Sequence, residues 1–360
     1  MAHGLLYGAS FTNGVLSFTD KQGRTICNAD LRNYLTLTAT EDNSSVALTK
    51  VGTLSNEFEV NVGNGWEDYA FNTVIPLNAG QSCKWRCKSH PTKQSSSNYV
   101  QFVMTGTIEA SGNCNSMLSS DFENITSLSG YDYAFYKLFG GCTSLTQAPS
   151  LPATTLASSC YQYMFDGCRS LTKAHELPAT TLARYCYSSM FRGCLSLTKA
   201  PELPATTLAD SCYSNMFDGA LSLTEAPVLH ATTLADYCYQ IMFRGCQSLT
   251  KAPELPATVL TNYCYFHMFD GCQSLVKAPE LPAITLAFYC YYFMFSGCQS
   301  LKDVRIAATR TTTGALESWL RGVSATGDFY CDPSAKIFPS DSESGIPSGW
   351  TRHNIADYPN

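Results

Sequence analysis

The stretch Leu177-Pro-Ala-Thr-Thr-Leu-Ala-Arg-Tyr-Cys-Tyr-Ser-Ser-Met-Phe-Arg-Gly-Cys-Leu-Ser-Leu-Thr-Lys-Ala-Pro-Glu202 decides the fold of this chain, because the same unit returns every 26 residues between Cys142 and Cys298. Self-similarity at such a period is typical of a solenoid, in which each unit is too small to bury its own core and stacks on its neighbours. Solenoids usually present a surface rather than perform chemistry, so the sequence favours binding over catalysis. The Gly-Cys corner of the unit recurs at Cys142, Cys168, Cys194, Cys246, Cys272 and Cys298, with Ala220 standing in once.

Apolar residues within one unit follow a helical spacing. Leu182, Cys186 and Met190 lie four residues apart, which predicts an amphipathic helix with its apolar stripe facing the interior. Gly193 is expected to end the helix, since glycine adopts a left-handed backbone at little cost. Residues 197–203 are then predicted to form a short strand that stops at the following proline. One strand, one helix and one corner per turn make a leucine-rich-repeat coil.

The repeated motif supports a family resemblance. The corner G-C-x-S-L-T-x-A-P, followed by L-P-A-T-T-L-A-x-x-C-Y-x-x-M-F, closely resembles the BspA-like leucine-rich-repeat surface proteins of gut Bacteroidales and of phages associated with them. The resemblance covers about residues 130–305, and the stretches at 319–323 and 344–350 also resemble the C-terminal ends of such proteins. It implies an extracellular, non-enzymatic adhesive or recognition role and does not identify the ligand.

The predicted fold class is an α+β multidomain chain. Before the repeats, runs that start near Tyr34, Phe58 and Tyr99 alternate apolar and polar residues between turns rich in Asn, Gly and Ser, as in a small β-sandwich. After the repeats, Trp319 and Phe329 are expected to pack over the last coil, because the open end of a solenoid needs a cover. The predicted parts are an N-terminal segment and possible anchor at 1–33, a β-sandwich-like domain at 34–117, a leucine-rich-repeat solenoid at 118–305 and a C-terminal cap at 306–360.

Composition narrows the classes of partner. The net charge of −6 does not favour binding to nucleic acid or to an anionic membrane. No run approaches the roughly 20 apolar residues of a membrane-spanning helix, and the sequence after Met1 does not read as a signal peptide. The 21 Tyr and 19 Phe, against only 14% charged residues, indicate a surface that binds through aromatic contacts.

Most of the seventeen cysteines belong to two repeated positions. Because Ala220 replaces one corner cysteine while Cys212 of the same unit remains, a disulfide within each unit is not favoured. We interpret the two series as buried free thiols stacked in columns, although bonds between neighbouring units stay an open alternative. The second series is Cys160, Cys186, Cys212, Cys238, Cys264 and Cys290.

Two repeated surface positions are candidates for interactions. One position alternates in charge from unit to unit, which predicts a ladder of ion pairs along one edge of the stack. Because opposite charges cancel the electrostatic field, the ladder is expected to control the register of neighbouring units rather than to act as a charged binding stripe. The other is the outer face of the predicted helix, which is polar in early units and aromatic in the last two. Aromatic residues at this density indicate an interface, and the alternative is that the C-terminal segment covers them. The ladder is Asp166, Arg192, Asp218, Arg244 and Asp270; the aromatic patch is Tyr263, Phe266, His267, Phe288, Tyr289, Tyr292 and Phe293.

The sequence carries no recognisable catalytic motif. The six histidines are scattered, and Cys83 and Cys87 have no companion pair at zinc spacing. A phosphate-binding glycine loop, a G-x-S-x-G elbow and an H-E-x-x-H helix are all missing. The prediction is therefore a protein that is not an enzyme, with no catalytic residue, no metal site and no cofactor.

Three functional hypotheses remain. The leading one is a virion-surface protein of a Bacteroidales phage, anchored to another virion protein by its N-terminal part and binding a host protein or glycan through the solenoid. The second is a bacterial cell-surface adhesin, and the remote third is a glycan-active enzyme. The absence of an export signal after Met1 favours the virion, because phage structural proteins assemble inside the cell.

Overall fold

Antiparallel β-strands form the N-terminal part of the chain. The computed structural model describes residues 8–12, 14–19, 22–23, 25–54, 57–88 and 94–358. The strands of this part are β1 (Gly8–Thr12), β2 (Val15–Thr19), β3 (Thr25–Asp30), β4 (Leu35–Ala39), β5 (Ser44–Val51), β6 (Phe58–Asn61), β7 (Glu67–Tyr69), β8 (Ile75–Leu77), β9 (Ser82–Cys87), β10 (Tyr99–Thr105) and β11 (Ile108–Ser111). The three runs predicted from alternation correspond to β4, to β6 and to the pair β10 and β11.

Three sheets arise from these strands. One sheet has the order β1-β2-β3, a second has the order β10-β5-β8, and a third has the order β11-β4-β9-β6-β7. Strand β4 alternates between buried and half-buried side chains, so it presents one apolar face to a core. That core lies between the second and third sheets, where the Trp85 ring meets the Phe102 ring edge-on with centroids 5.1 Å apart.

The β-rich part is continuous with the repeats. Strand β11 pairs in parallel with β12 (Leu145–Gln147), which extends the third sheet to six strands. The Phe102 amide donates to the Leu138 carbonyl at 2.7 Å, and the rings of Phe102 and Phe139 stack at 5.2 Å. Because the first coil of a solenoid would otherwise expose unpaired backbone groups, the strands close that end of the stack and share its hydrophobic core.

Six consecutive coils follow, and their backbones pair with one another. Isolated parallel bridges connect equivalent residues of neighbouring coils, for example Thr155 with Thr181, Lys199 with Glu225 and Leu203 with Leu229. The segment 197–203, predicted as a strand, is represented by these single bridges. We number the coils 1 (151–176), 2 (177–202), 3 (203–228), 4 (229–254), 5 (255–280) and 6 (281–305).

The predicted helix of each coil is wrong, and with it the α part of the fold class. In coil 2 the amides of Cys186, Ser188 and Met190 donate to the carbonyl three residues earlier, forming consecutive turns. The amides between them donate instead to coil 3, as Tyr187 does to Cys212 at 3.0 Å. An α-helix would direct each amide to the fourth residue before it. Here every second amide is used to join the coils, so the stack is held by backbone hydrogen bonds along its whole length.

A left-handed residue occurs at every fourth position of these turns. In coil 2 the φ angles are 57° at Tyr185, 56° at Ser189 and 67° at Gly193. A positive φ at the third residue of a turn is the requirement of a type II turn, and it repeats with a period of four. This four-residue period keeps Cys186, Met190 and Cys194 on the buried side of the coil.

Two columns of stacked aromatic rings form the core of the coils. Neighbouring tyrosines are almost parallel and 5.6–6.0 Å apart, and neighbouring phenylalanines are 5.5–5.7 Å apart. Complete burial of such rings contributes about 1.5–3 kcal/mol each. The columns are Tyr161, Tyr187, Tyr213, Tyr239, Tyr265 and Tyr291, and Phe139, Phe165, Phe191, Phe217, Phe243, Phe269 and Phe295.

The C-terminal residues continue the stack rather than fold across it. Strand β13 (Asp303–Arg305) pairs in parallel with β14 (Gly327–Cys331), which pairs in parallel with β15 (Trp350–Asn354). Trp319 takes the next place in the tyrosine column, stacked on Tyr291 at 6.3 Å. The rings of Phe329 and Phe338 lie 6.1 and 6.3 Å from Trp319, which completes the core at this end.

Helical structure is limited in the described residues to three 3₁₀ helices, Cys114–Met117, Phe122–Asn124 and Ile355–Asp357. Within the same residues, no helix has the length and apolar character needed to cross a membrane.

Candidate recognition surface

The predicted aromatic patch forms one connected cluster on coils 5 and 6. Tyr263 and Tyr289 stack with their rings 5.3 Å apart and nearly parallel. Both have a left-handed backbone, with φ of 56° and 52°, and both lie at the same position of the turn pattern in their coils. Tyr237 of coil 4 occupies the same position and stacks on Tyr263 at 4.6 Å. The patch prediction missed Tyr237; aligning equivalent positions of the repeats would have found it.

Four further members lie three and four residues after these tyrosines in the two coils. Phe266 stacks on Tyr292 at 5.0 Å, and His267 stacks on Phe293 at 4.9 Å. Tyr263 contacts Phe266 at 5.6 Å, so the rings of both coils form a continuous surface. All seven predicted residues are therefore brought together, although by turns and not by a helix. Phe288 completes the cluster against Tyr289 at 4.3 Å.

The C-terminal segment borders this aromatic cluster without burying it. Phe288 keeps 39% of its surface exposed, and the other six predicted members are half-buried, largely by one another. The ring of Tyr289 packs directly on the Gly314 backbone, where a Cβ atom would lie 2.5 Å from Tyr289 Cε1. The cluster therefore remains available to a ligand.

One member of the cluster contacts a carboxylate. His267 Nδ1 lies 2.8 Å from Asp270 Oδ2 in the same coil. The pKa of Tyr263 is raised by desolvation and then by its neighbours Tyr237 and Tyr289. The tyrosine hydroxyls of the cluster are neutral at physiological pH, as tyrosine ordinarily is. Flat rings with neutral hydroxyls at the edge can stack on a planar or apolar group and donate hydrogen bonds beside it.

The predicted charge ladder separates into two pairs. Arg192 binds Asp166 through two hydrogen bonds of 2.7 and 2.8 Å, and Arg244 binds Asp218 through two of 2.8 and 2.9 Å. Asp270, the fifth member, turns instead to His267. The ladder is thus a pair of bidentate contacts, each joining two neighbouring coils.

A second polar cluster, not anticipated from the sequence, lies on the strand face of the last coils. Tyr358 returns from the C-terminal tail and donates its hydroxyl to Asp303 Oδ1 at 2.9 Å. Lys277 Nζ and Arg305 Cζ lie 4.7 and 4.8 Å from the centre of its ring. Tyr330 meets the same ring edge-on at 4.8 Å. These contacts fasten the tail to coils 5 and 6, and no repeat motif in the sequence indicates them.

The buried thiols offer no reactive group. All sixteen cysteines whose side chains are described are free and buried, as predicted for the two repeated series. Burial raises the pKa of the Cys186 and Cys238 thiols to about 12, so they stay protonated and unreactive. In the described part of the chain, no group of three or more His, Cys, Asp or Glu residues is placed to hold a metal ion.

Comparison with known families identifies the repeats. The family model described as the BspA type leucine rich repeat region matches residues 113–250 and 211–316, with six copies. Searches of curated proteins and of solved structures give no match. The matched residues span more than half of the chain and include every numbered coil as well as the aromatic cluster. The chain belongs to the family of BspA-type leucine-rich-repeat proteins.

Proposed function

We propose that this chain is a non-catalytic surface protein of adhesion or recognition, and that the aromatic cluster on coils 5 and 6 binds its ligand. The proposal rests on one observation: coils with the same backbone differ in whether the outer residues are aromatic or polar. Where coil 6 has Phe288 and Tyr292, coil 2 has Arg184 and Ser188. Folding does not require aromatic residues at these positions, because coils 1 to 4 form the same turns without them.

A contiguous aromatic surface that is partly open to solvent is typical of an interaction site. Aromatic residues are also enriched at protein interfaces relative to the rest of a protein surface. Buried aromatic residues also dominate the energy of interfaces. A host protein or a glycan is the proposed class of ligand.

The N-terminal part is proposed to anchor the protein as a sandwich-like unit. The hairpin of β1 and β2 supports this, since Phe11 and Leu16 are cross-strand partners on the same face. Phe11 is 65% exposed there, as expected for a strand that awaits a partner. The proposed partner is a virion protein of a Bacteroidales phage, and the alternative partner is a component of a bacterial cell envelope.

The ligand-binding site is tested by giving coil 5 the residues of coil 3. The double variant Tyr263→Ser and Phe266→Ser reproduces Ser211 and Ser214, so the turn itself is preserved. Full-length protein and variant are compared on a glycan array and on immobilised mucin. We expect the variant to lose at least about ten-fold in affinity, while Tyr185→Ser in coil 2 has no effect. Equal binding by all three proteins would refute the proposed site.

Immunogold labelling with antibodies to the full chain tests whether the protein is located on phage particles or on the cell envelope. Labelling of phage particles from the source culture supports the virion role. Labelling of cell envelopes in the absence of phage particles supports the bacterial adhesin.

A further inference from the structure

Two exposed aliphatic side chains replace threonines in coils 5 and 6. Val259 is 75% exposed and Ile284 is 59% exposed. The position of Val259 is threonine in coils 1 to 4, and that of Ile284 is threonine in coils 1 to 5. The substitutions therefore occur in the same two coils as the aromatic cluster but at positions of the coil that the cluster does not use. Folding gives no reason for them, because exposed aliphatic side chains add nothing to the core.

A cleft of about 540 Å³ lies at these two residues. Its walls carry no charged side chain, and only three threonine hydroxyls interrupt the aliphatic lining. The size suits one or two side chains of a partner. The lining residues are Thr258, Val259, Leu260, Pro282, Ile284, Thr285, Leu286, Ala287 and Thr312.

The cleft and the aromatic cluster adjoin each other. Ala287 lines the cleft, and the next residue is Phe288, whose ring contacts Tyr263 at 5.6 Å. On the other side Thr312 lines the cleft, while Gly314, two residues later, supports the Tyr289 ring. One partner can therefore contact both sites with a short extended segment.

The chemistry of the cleft distinguishes between the two classes of ligand. A sugar bound there would lose water from its hydroxyls without gaining enough hydrogen-bond partners, which is unfavourable. An aliphatic or aromatic side chain has no such cost, and the removal of its apolar surface from water favours binding. The absence of charge in the lining also excludes a requirement for an acidic or basic partner.

We propose that the ligand of this chain is a protein segment in extended conformation, with an uncharged apolar side chain inserted in the cleft and the neighbouring residues lying across the aromatic cluster. This inference rests on the proposed function and names the class of its ligand.

The test uses random twelve-residue peptides displayed on filamentous phage and selected on the immobilised full-length protein. Selected peptides are synthesised with a fluorescent label, and their dissociation constants are measured by fluorescence anisotropy. The double variant Val259→Thr and Ile284→Thr restores the threonines of the other coils and so preserves the turn. Val228→Glu is the matched control, because it restores the glutamate of the repeat at an exposed valine of coil 3 that does not line the cleft.

We expect peptides rich in aliphatic and aromatic residues, with at least ten-fold weaker binding to the threonine double variant and unchanged binding to Val228→Glu. Peptides that depend on Tyr263 but not on Val259 and Ile284 would overturn the cleft proposal and leave the proposed function standing. Glycans on the array that bind through the cluster, with no peptide selected, would overturn the ligand class alone. If no peptide or glycan depends on Tyr263, both proposals fail.

Discussion

The thiol of Cys246 in coil 4 donates a hydrogen bond to the carbonyl oxygen of Phe217 in coil 3, with a distance of 3.2 Å between sulfur and oxygen. The same carbonyl also accepts the Ala220 amide at 3.0 Å, so the thiol occupies the second acceptor position of a buried oxygen. The same contact, at 3.0–3.2 Å, is made by the other corner cysteines. These are Cys142, Cys168, Cys194, Cys272 and Cys298.

Ala220 interrupts this series, and restoring the thiol is expected to stabilise the protein. In Ala220→Cys the new sulfur would face the carbonyl of Phe191, its equivalent in coil 2, and would fill the volume that alanine leaves. We expect the free energy of unfolding to rise by about 1 kcal/mol. Urea denaturation measures the change, and Cys246→Ala should shift the midpoint in the opposite direction. An unchanged or lower midpoint for Ala220→Cys would show that the thiol bonds are incidental.

The same burial predicts that native thiols resist alkylation. The pKa of Cys290 is raised to about 12 by desolvation, so at pH 8 only about one thiol in ten thousand is the reactive thiolate. Iodoacetamide followed by mass spectrometry should find the repeat cysteines unmodified in native protein and fully modified in guanidinium chloride. Rapid modification of the native protein would contradict the buried columns.

Ser189 combines two unfavourable features that one substitution removes. Its φ is 56°, which costs a non-glycine residue about 1 kcal/mol or more, and its buried hydroxyl has no hydrogen-bond partner among the described residues. Ser189→Gly should therefore raise stability by about 1 kcal/mol despite the greater freedom of glycine in the unfolded chain. Ser188→Gly is the control, because Ser188 is outside the left-handed region, and it should lower the melting temperature. A higher melting temperature for Ser188→Gly than for Ser189→Gly would contradict the turn geometry.

Sequence reasoning found the buried face of each coil and failed on its backbone. The spacing of Cys186 and Met190 fits a period of 3.6 as well as a period of four, because the two differ by less than one residue over two turns. What decides between them is the bond from Tyr187 to Cys212 of the next coil. That interaction is non-local, and no local pattern within coil 2 reveals it.

The candidate surface was likewise found in part. The seven aromatic residues were evident because they change along an otherwise constant repeat. Val259 and Ile284 were missed, since aliphatic residues beside a predicted helix are usually assigned to the core. Two features separate them from buried residues such as Leu286: their exposure in the folded chain and the threonines that they replace in other coils. The contacts of Tyr358 depend on how the tail returns to the strand face, which the repeat does not encode.

The bidentate pair of Arg244 and Asp218 predicts a modest contribution that depends on salt. Both side chains reach solvent, with Arg244 46% exposed, so Arg244→Ser should cost about 0.5–1 kcal/mol at low ionic strength. Ser296 occupies the equivalent position in coil 6, which shows that serine is accommodated. Thermal melts in 20 mM and 1 M NaCl measure the effect, which should shrink at high salt. Arg169→Gln, an exposed change to the residue of coils 4 to 6, should show no such dependence.

The free energy of unfolding of this protein should decrease at alkaline pH, because its core contains many ionisable side chains. Desolvation raises the pKa of buried tyrosines such as Tyr187 and Tyr213 well above 10.0, whereas the unfolded chain ionises near that value. The unfolded state then binds fewer protons than the folded state, so stability is full below pH 10 and falls as pH rises, by about 1.4 kcal/mol per pH unit for each group. The buried thiols extend the loss down to about pH 9, for the same reason.

Tyr213→Phe tests this dependence one group at a time. The Tyr213 hydroxyl is buried without a hydrogen-bond partner in the part of the chain that the structure describes, so its removal should raise stability at pH 7 by about 1 kcal/mol. Above pH 10 the stability of the variant should also fall less steeply with pH than that of the wild type. The difference in slope should correspond to one proton, or about 1.4 kcal/mol per pH unit. Urea midpoints between pH 7 and pH 11 measure both effects. Tyr237→Phe, at the exposed surface, should change neither, and equal slopes for wild type and Tyr213→Phe would show that this tyrosine ionises in the folded protein.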